Sequence, residues 1–158
     1  MKFRQIILLI FTHLSVGAFG VALGIYMLPI LIAPTSPTES EVTELSSQAQ
    51  YSAIFKKNRK DSDSFHWGEG LVSIGSDYIT LIGNLAPGPD YKLYLSTEFV
   101  ETEADFNRLK ANMALVGNVK TFENFAVKIP QDIRLSRYNT VIVWCETFGE
   151  FITSAKYR

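Results

Sequence analysis

The sequence feature that most constrains this chain is a run of 27 residues, 6–32, that contains no Asp, Glu, Lys or Arg. A helix of about 20 apolar residues is long enough to cross a bilayer. The run is longer than the roughly 7 to 15 apolar residues of a signal peptide, and its end at 27–32 offers no small-x-small cleavage site. The sequence therefore predicts an uncleaved transmembrane signal anchor within residues 1–33.

The charges on either side of this run predict its orientation. Lys2 and Arg4 precede it, whereas Glu39, Glu41 and Glu44 follow it. Positively charged residues are retained on the cytoplasmic side of a membrane. We therefore expect a cytoplasmic N-terminus, a single pass through the membrane, and the rest of the chain on the other side.

Residues 34–50 are rich in Pro, Ser, Thr and Glu and contain few apolar side chains. Such a composition does not bury enough apolar surface to offset the entropy lost on ordering. The segment is predicted to be a flexible tether with a reach on the order of 25 Å. A tether of that length keeps the following domain close to the bilayer.

Residues 51–158 balance thirteen Lys and Arg against thirteen Asp and Glu. A formally neutral domain has no excess positive charge to attract phosphate groups, so nucleic acid is not an expected partner. The domain contains one cysteine, which excludes an internal disulfide. Its stability must therefore come from packing.

The same domain consists of short segments in which apolar residues are continuous or alternate with polar ones, separated by Gly, Pro, Asn and Asp. This pattern indicates about seven or eight strands and favours an all-β antiparallel sandwich or barrel-like domain. One short helix is predicted within 101–114, and 51–55 fits an edge strand or a helical turn. The predicted strands are 71–74, 78–82, 91–95, 116–120, 122–129, 141–144 and 151–156, with 51–55 as the possible eighth.

The last two of these strands form the centre of the prediction. The first contains a β-branched and aromatic run that ends at Trp144 and Cys145, and it is predicted to be buried on both faces. Gly149 allows a turn, and the second strand is predicted to have one wetter face. Trp144 is expected in the core, surrounded by Leu93 and by the valines at 141 and 143.

Cys145 is unexpected in a domain outside the cytoplasm, because proteins in oxidising compartments usually pair their thiols. It fits an inert buried thiol that packs as a small hydrophobic side chain. It also fits a redox-active thiol, a metal or haem ligand, or a catalytic nucleophile. The local sequence leaves these alternatives open.

His66 is the only histidine after the membrane segment, and Asp63 and Glu69 lie close to it in sequence. Zinc usually requires three or four ligands, so carboxylates would have to join His66 and Cys145. A Cys-His nucleophile pair is the second alternative, and a surface ring packed on Trp67 is the third. Because no Cys-x-x-Cys-His motif is present, covalent c-type haem is excluded. No metal site is predicted, and the cofactor is left unknown.

Four stretches together resemble one known family over about residues 60–158. They are HWGEG at 66–70, LAPGPD at 85–90, YKLYLS at 91–96 and YNTVIVWC at 138–145, followed by Phe148 and Phe151. In this order they resemble the DM-thirteen, or electron-transfer DM, domain family. The resemblance implies a β-sandwich-like fold and a redox centre at the cysteine that matches Cys145.

The resemblance, together with the anchor, implies a membrane-anchored redox or electron-transfer module outside the cytoplasm. Cys145 is the candidate redox centre, and Cys145, His66 and Trp144 are the candidate cofactor-binding residues. The expected setting is a bacterial inner membrane with the domain in the periplasm, where an unidentified redox or envelope protein is the partner. The alternative is a non-catalytic binding or structural module that uses a loop surface such as 61–70.

Overall fold

The first element of the fold is a long apolar helix. A computed structural model describes residues 2–158, beginning with α1 at Phe3–Ile32. The mean hydropathy of its most apolar 18-residue window is 2.3, and none of that window is buried. The helix is long and apolar enough to cross a membrane, although a signal sequence near the N-terminus has the same properties. It is therefore a candidate membrane span.

Two four-stranded antiparallel sheets form the β domain, which confirms the predicted sandwich. The first sheet has the strand order β1-β2-β3-β6 and the second has the order β5-β4-β7-β8. The strands are β1 Tyr51–Phe55, β2 Gly68–Ile74, β3 Tyr78–Leu85, β4 Tyr91–Ser96, β5 Ala114–Val119, β6 Phe125–Lys128, β7 Thr140–Cys145 and β8 Glu150–Lys156.

The prediction that 34–50 is an unstructured tether is wrong at the centre of that segment, where α2 spans Glu39–Leu45. Thr38 Oγ1 accepts a hydrogen bond from the Glu41 backbone N–H at 3.3 Å, and the Glu41 carboxylate accepts one from the Thr38 N–H at 2.7 Å. This reciprocal capping box starts the helix. Val42 is 1% exposed, so α2 packs on the domain through an apolar contact that the polar composition concealed.

The interior of the sandwich holds side chains from the inner faces of both sheets. They include Val72, Ile74, Ile79, Leu81, Leu93, Leu95, Phe125, Val141, Val143 and Ile152. The outer face of the second sheet is covered by α3, Glu103–Leu109, which lies inside the predicted helical range. Every residue of β7 is buried, as predicted, because β7 lies between the sandwich interior and α3.

Trp144 is buried as predicted, but its expected surroundings were wrong. It faces the outer layer, where its ring stacks on Phe106 at a centroid distance of 3.8 Å and an angle of 8°. Leu93, Val141 and Val143 belong to the sandwich interior instead. Successive side chains of a strand point to opposite faces of the sheet, so Trp144 is separated from Val143 by the sheet itself.

The prediction of one wetter face on β8 was also wrong. Trp144 pairs with Phe151 and Val143 pairs with Thr153, so Ile152 is an extra residue in a β-bulge. Thr153 and Ser154 are fully buried, and their hydroxyl groups donate to the backbone carbonyls of residues 68 and 100. Hydrogen bonding to the backbone allows both hydroxyl groups to lie in a dry environment.

Candidate functional site

Cys145 is the last residue of β7, and its side chain points to the inner side of the second sheet. It pairs with Tyr91 at the start of β4. The side chain is 2% exposed, which confirms the predicted buried strand end. The thiol lies in the wall of a cavity of about 240 Å³.

Two opposing effects act on the Cys145 thiol. Burial is the larger and raises its pKa, since a thiolate loses hydration in this position. The backbone N–H groups of Phe148, Asp90 and Thr147 act in the other direction, and the Asp90 carboxylate raises the pKa further. The resulting pKa lies above its usual value, so the thiol is protonated at neutral pH.

The β7–β8 turn contains Thr147 and Phe148, two of the residues whose backbone lowers the pKa of Cys145. The Gly149 N–H donates to the Cys145 carbonyl oxygen at 2.9 Å, which closes the turn tightly. Gly149 has a φ of 71°, a conformation that glycine adopts at little steric cost. The turn thus places Phe148 at the cavity that Cys145 also lines.

The cavity beside Cys145 is mainly apolar and is lined by four parts of the chain. These are the β7–β8 turn, the proline-containing segment that leads into β4, the loop before β2, and the C-terminal part of α1. The lining residues are Ala22, Ile25, Tyr26, Phe65, His66, Pro87, Gly88, Pro89, Tyr91, Cys145 and Phe148.

The proline-containing segment carries the chain from the first sheet to the second, where the sequence predicted a turn between two strands. The Tyr91 hydroxyl donates to the Ala86 carbonyl at 2.8 Å. A Cβ atom on Gly88 would lie 2.4 Å from the Tyr91 hydroxyl oxygen, so only glycine allows this close approach. These contacts fix the Tyr91 ring in the cavity wall.

His66 is held at the cavity by Asp63. The Asp63 carboxylate accepts hydrogen bonds from the backbone N–H groups of Phe65 at 2.6 Å and His66 at 2.8 Å. Its second oxygen lies 3.0 Å from His66 Nδ1. Slight burial raises the pKa of Asp63, but these hydrogen bonds outweigh it and leave the pKa below its usual value. The carboxylate is thus ionised and orients the imidazole.

The C-terminal part of α1 contacts the β domain beside this cavity. The rings of Tyr26 and Phe65 meet edge to face with centroids 6.4 Å apart. A second cavity of about 270 Å³ follows toward the end of the helix, between Pro29 and Ile32 on one side and Phe122 on the other. Of α1, only Ala22, Ile25 and Tyr26 line the Cys145 cavity itself.

The structure brings two of the three predicted site residues together. Cys145 and His66 line the same cavity, although they are 79 positions apart in the sequence. Trp144 does not line it, because its side chain lies on the opposite face of the sheet. His66 is oriented by Asp63, and Trp67 is covered by Lys57, whose Nζ lies 4.0 Å from the ring centroid.

Sequence reasoning missed several residues of the site. Tyr26 and Phe65 were not identified, although a tyrosine inside an otherwise apolar run is a signal for the membrane interface. The spacing of Asp63 and His66 was a second signal, because an aspartate that closes a local turn often holds the side chain three residues later. No signal in the sequence places Tyr91 beside Cys145, since that contact depends on the pairing of β4 with β7.

The zinc hypothesis required carboxylates beside Cys145 and His66. No Asp or Glu lines their cavity, and residues 2–158 contain no group of three or more His, Cys, Asp or Glu side chains arranged to hold a metal ion. Two ligands fall short of the three or four that a zinc site needs. The donor set of this cavity therefore does not fit zinc.

One of three comparisons with known proteins gives a match, and it is to a family model. The model of the family described as Electron transfer DM13 matches residues 60–157, a range that includes His66, Tyr91 and Cys145. Neither the curated proteins nor the solved structures give a match. Since the family match covers well over half of the sequence, this chain belongs to the Electron transfer DM13 family.

Proposed function

We propose that this protein is a membrane-anchored electron-transfer module that acts through Cys145. The family description supports a redox-related role, and α1 is a candidate anchor. The β domain would lie outside the cytoplasm, in the periplasm if the membrane is a bacterial inner membrane. An unidentified redox or envelope protein would exchange electrons with it.

The observation that carries the proposal is the environment of the Cys145 sulfur. The thiol is buried and faces a cavity that His66 also lines. Exclusion of solvent is among the factors that set the potential of sulfur-containing redox centres. Since the chain has no second cysteine, electron transfer at this sulfur needs a bound group or a partner molecule.

The role of Cys145 is tested by Cys145→Ser in a strain that depends on the protein. We expect the variant to fold, because serine is close to cysteine in volume, and to lose function. Thr140→Ser is the matched control, since Thr140 is fully buried in the same strand but does not line the cavity. A variant that melts like the wild type and complements fully would contradict the redox role.

An absorption spectrum of protein purified from its native membrane would reveal a coloured cofactor.

The topology is tested by fusing alkaline phosphatase after Arg158, with a cytoplasmic reporter at the same position as the control. The charges of Lys2 and Arg4 before α1 support an active phosphatase and an inactive cytoplasmic reporter. The reverse result would contradict the orientation. The intact mass of the purified protein separates an anchor, which retains α1, from a signal sequence, which is removed.

A second candidate function, a non-catalytic binding module, is favoured by the exposure of Phe65 and Phe148. They are 64% and 52% exposed at the cavity, and exposed aromatic side chains are common at binding surfaces. In that case Phe65→Ala would abolish function, whereas Cys145→Ser would preserve it. The two candidates therefore predict opposite results for the same pair of variants.

A further inference from the structure

The cavity beside Cys145 lies where α1 would leave the bilayer. A hydrocarbon core of about 30 Å is crossed by about 20 helical residues, which places Ile25 at its outer boundary if the span begins at Ile6. Tyr26 follows at the level of the headgroups, where tyrosine is enriched. Ala22, Ile25 and Tyr26 all line the cavity. One wall of the cavity is thus continuous with the lipid-facing surface of the helix.

The size and lining of the cavity suit one apolar ring. Its volume of about 240 Å³ is below the roughly 300 to 1,000 Å³ of pockets that take drug-sized molecules. Its walls carry the aromatic rings of Tyr26, Phe65, Tyr91 and Phe148, together with the prolines at 87 and 89. Aromatic and proline side chains provide flat apolar surface on which a planar ring can pack.

The few polar groups that line the cavity suit a neutral ligand. No Asp, Glu, Lys or Arg lines it. In the tautomer in which His66 Nδ1–H donates a hydrogen bond to the Asp63 carboxylate, Nε2 is the acceptor nitrogen of the ring. The Tyr91 hydroxyl is already used, since it donates to the Ala86 carbonyl. The available acceptor at His66 therefore matches a ligand that carries a hydroxyl group.

We propose that this cavity binds the ring of a neutral, membrane-dissolved quinol, whose hydroxyl group donates a hydrogen bond to His66 Nε2 beside Cys145. The proposal rests on the proposed function, because it requires α1 to be a membrane anchor, and it names the class of molecule that the electron-transfer module would meet. An aromatic alcohol dissolved in lipid combines the three required properties, which are a flat ring, no net charge and a hydroxyl donor.

Binding is tested with the full chain in phosphatidylcholine vesicles, using a benzoquinol that carries a diazirine on its alkyl tail. After illumination, the labelled peptides are mapped by mass spectrometry, with and without excess unlabelled benzoquinol. We expect protected labelling in the C-terminal part of α1 and in the loop that contains Phe65. A phosphatidylcholine with a diazirine in its acyl chain is run in parallel to identify simple lipid occupancy.

Two variants make the test specific to the cavity. Ala22→Phe fills the cavity from α1 and should lower protected labelling at least about tenfold, whereas Val21→Phe on the same helix, outside the cavity, should leave it unchanged. His66→Phe keeps an aromatic ring but loses the acceptor, which should weaken benzoquinol binding about tenfold. The same variant should not weaken binding of the dimethyl ether of the benzoquinol, which has no hydroxyl to donate.

The proposal is overturned if excess benzoquinol protects no peptide, if Ala22→Phe and Val21→Phe behave alike, or if the acyl-chain probe labels the same peptides with equal protection. It is also overturned if His66→Phe weakens the ether and the quinol equally. Failure of the redox role is recognised separately, because Cys145→Ser would then complement fully while protected labelling persisted. Failure of quinol binding alone would leave the Cys145→Ser defect intact.

Discussion

Trp144 and Cys145 are adjacent in the sequence, yet they belong to two different parts of the molecule. Trp144 faces α3, where it stacks on Phe106 in a closed cluster. Cys145 faces the other side of the sheet, at the edge of the sandwich interior and beside a cavity. One face of β7 therefore packs against the outer layer, and the other face carries Cys145, the residue proposed for the chemistry.

The two faces also differ in how their polar groups are satisfied. The Trp144 Nε1–H has no hydrogen-bond partner among residues 2–158. The Cys145 thiol lies in the wall of a cavity, and burial raises its pKa. The outer face thus holds an unsatisfied donor in a packed cluster, whereas the inner face holds a protonated thiol beside a cavity.

The largest expected effect tests the outer face. Trp144→Ala should lower the free energy of unfolding by about 3 to 5 kcal/mol, because it removes the ring that anchors α3 and leaves a void. Chemical denaturation measures the change. Trp67→Ala is the control and should cost no more than about 1 kcal/mol, since Trp67 is only half-buried under Lys57. Equal losses from the two variants would contradict the assignment of Trp144 to the outer core.

The next effect tests the inner face through the reactivity of Cys145. A bulky maleimide at neutral pH should label the native domain on the order of a hundredfold more slowly than the denatured chain, because the thiol is buried and protonated. Since the folded pKa lies above the ordinary value of 9.0, the thiolate fraction stays low until the pH exceeds that value. Mass spectrometry follows the reaction. Native labelling at the rate of a free peptide would indicate an exposed thiolate.

A smaller effect concerns the stacking of Trp144 on Phe106. A double-mutant cycle on Trp144→Leu and Phe106→Leu should give a coupling energy of about 0.5 to 1.5 kcal/mol, as expected for an aromatic pair beyond its burial. Replacing Val143 instead of Phe106 provides the control pair, because Val143 lies on the other side of the sheet. Coupling of Trp144 to Val143 as strong as its coupling to Phe106 would contradict the separation of the two faces.

The smallest effect concerns the polar edge of the outer layer, where Glu146 accepts hydrogen bonds from Lys110 at 2.7 Å and from the Tyr94 hydroxyl. Partial burial raises the pKa of Glu146, but these bonds and the charge of Lys110 outweigh it, so the pKa falls below 4.5. The contribution of the ionised Glu146 to the free energy of unfolding is therefore present above pH 4.5. It is lost as the pH falls through the pKa of Glu146 in the folded state.

Glu146→Gln should remove this part of the acid dependence and cost less than about 1 kcal/mol at pH 7, since the pair is partly exposed. Denaturation between pH 3 and 7 measures it. Glu123→Gln, which changes another carboxylate of the domain, is the control. An unchanged acid dependence in Glu146→Gln would show that other carboxylates carry it.

The sandwich could be predicted because its signals are local. Alternation and turn residues located the strands, and the apolar run located α1. The burial of β7 on both faces followed from its uninterrupted apolar composition. The tether was mispredicted because a single buried residue, Val42, decides the position of α2, and average composition does not register one contact.

The site was predictable only in part, for a related reason. Cys145 and His66 were identified as unusual residues, and the family resemblance pointed to the cysteine. Their common cavity depends on the pairing of β4 with β7 and on the Asp63 turn, which are contacts between distant or irregular segments. The bulge at Ile152 also depends on the pairing of two strands.

The sequence by itself determined the apolar helix, the strand content, the single thiol and the family, because each follows from residue type and local order. The tertiary structure alone decided which face each side chain of β7 occupies and what it meets there. Strand alternation separates Trp144 from Cys145, but only the packing of α3 on one side and of α1 with the Asp63 loop on the other gives them different roles. Those contacts join residues far apart in the chain, and their free energy depends on the whole folded arrangement.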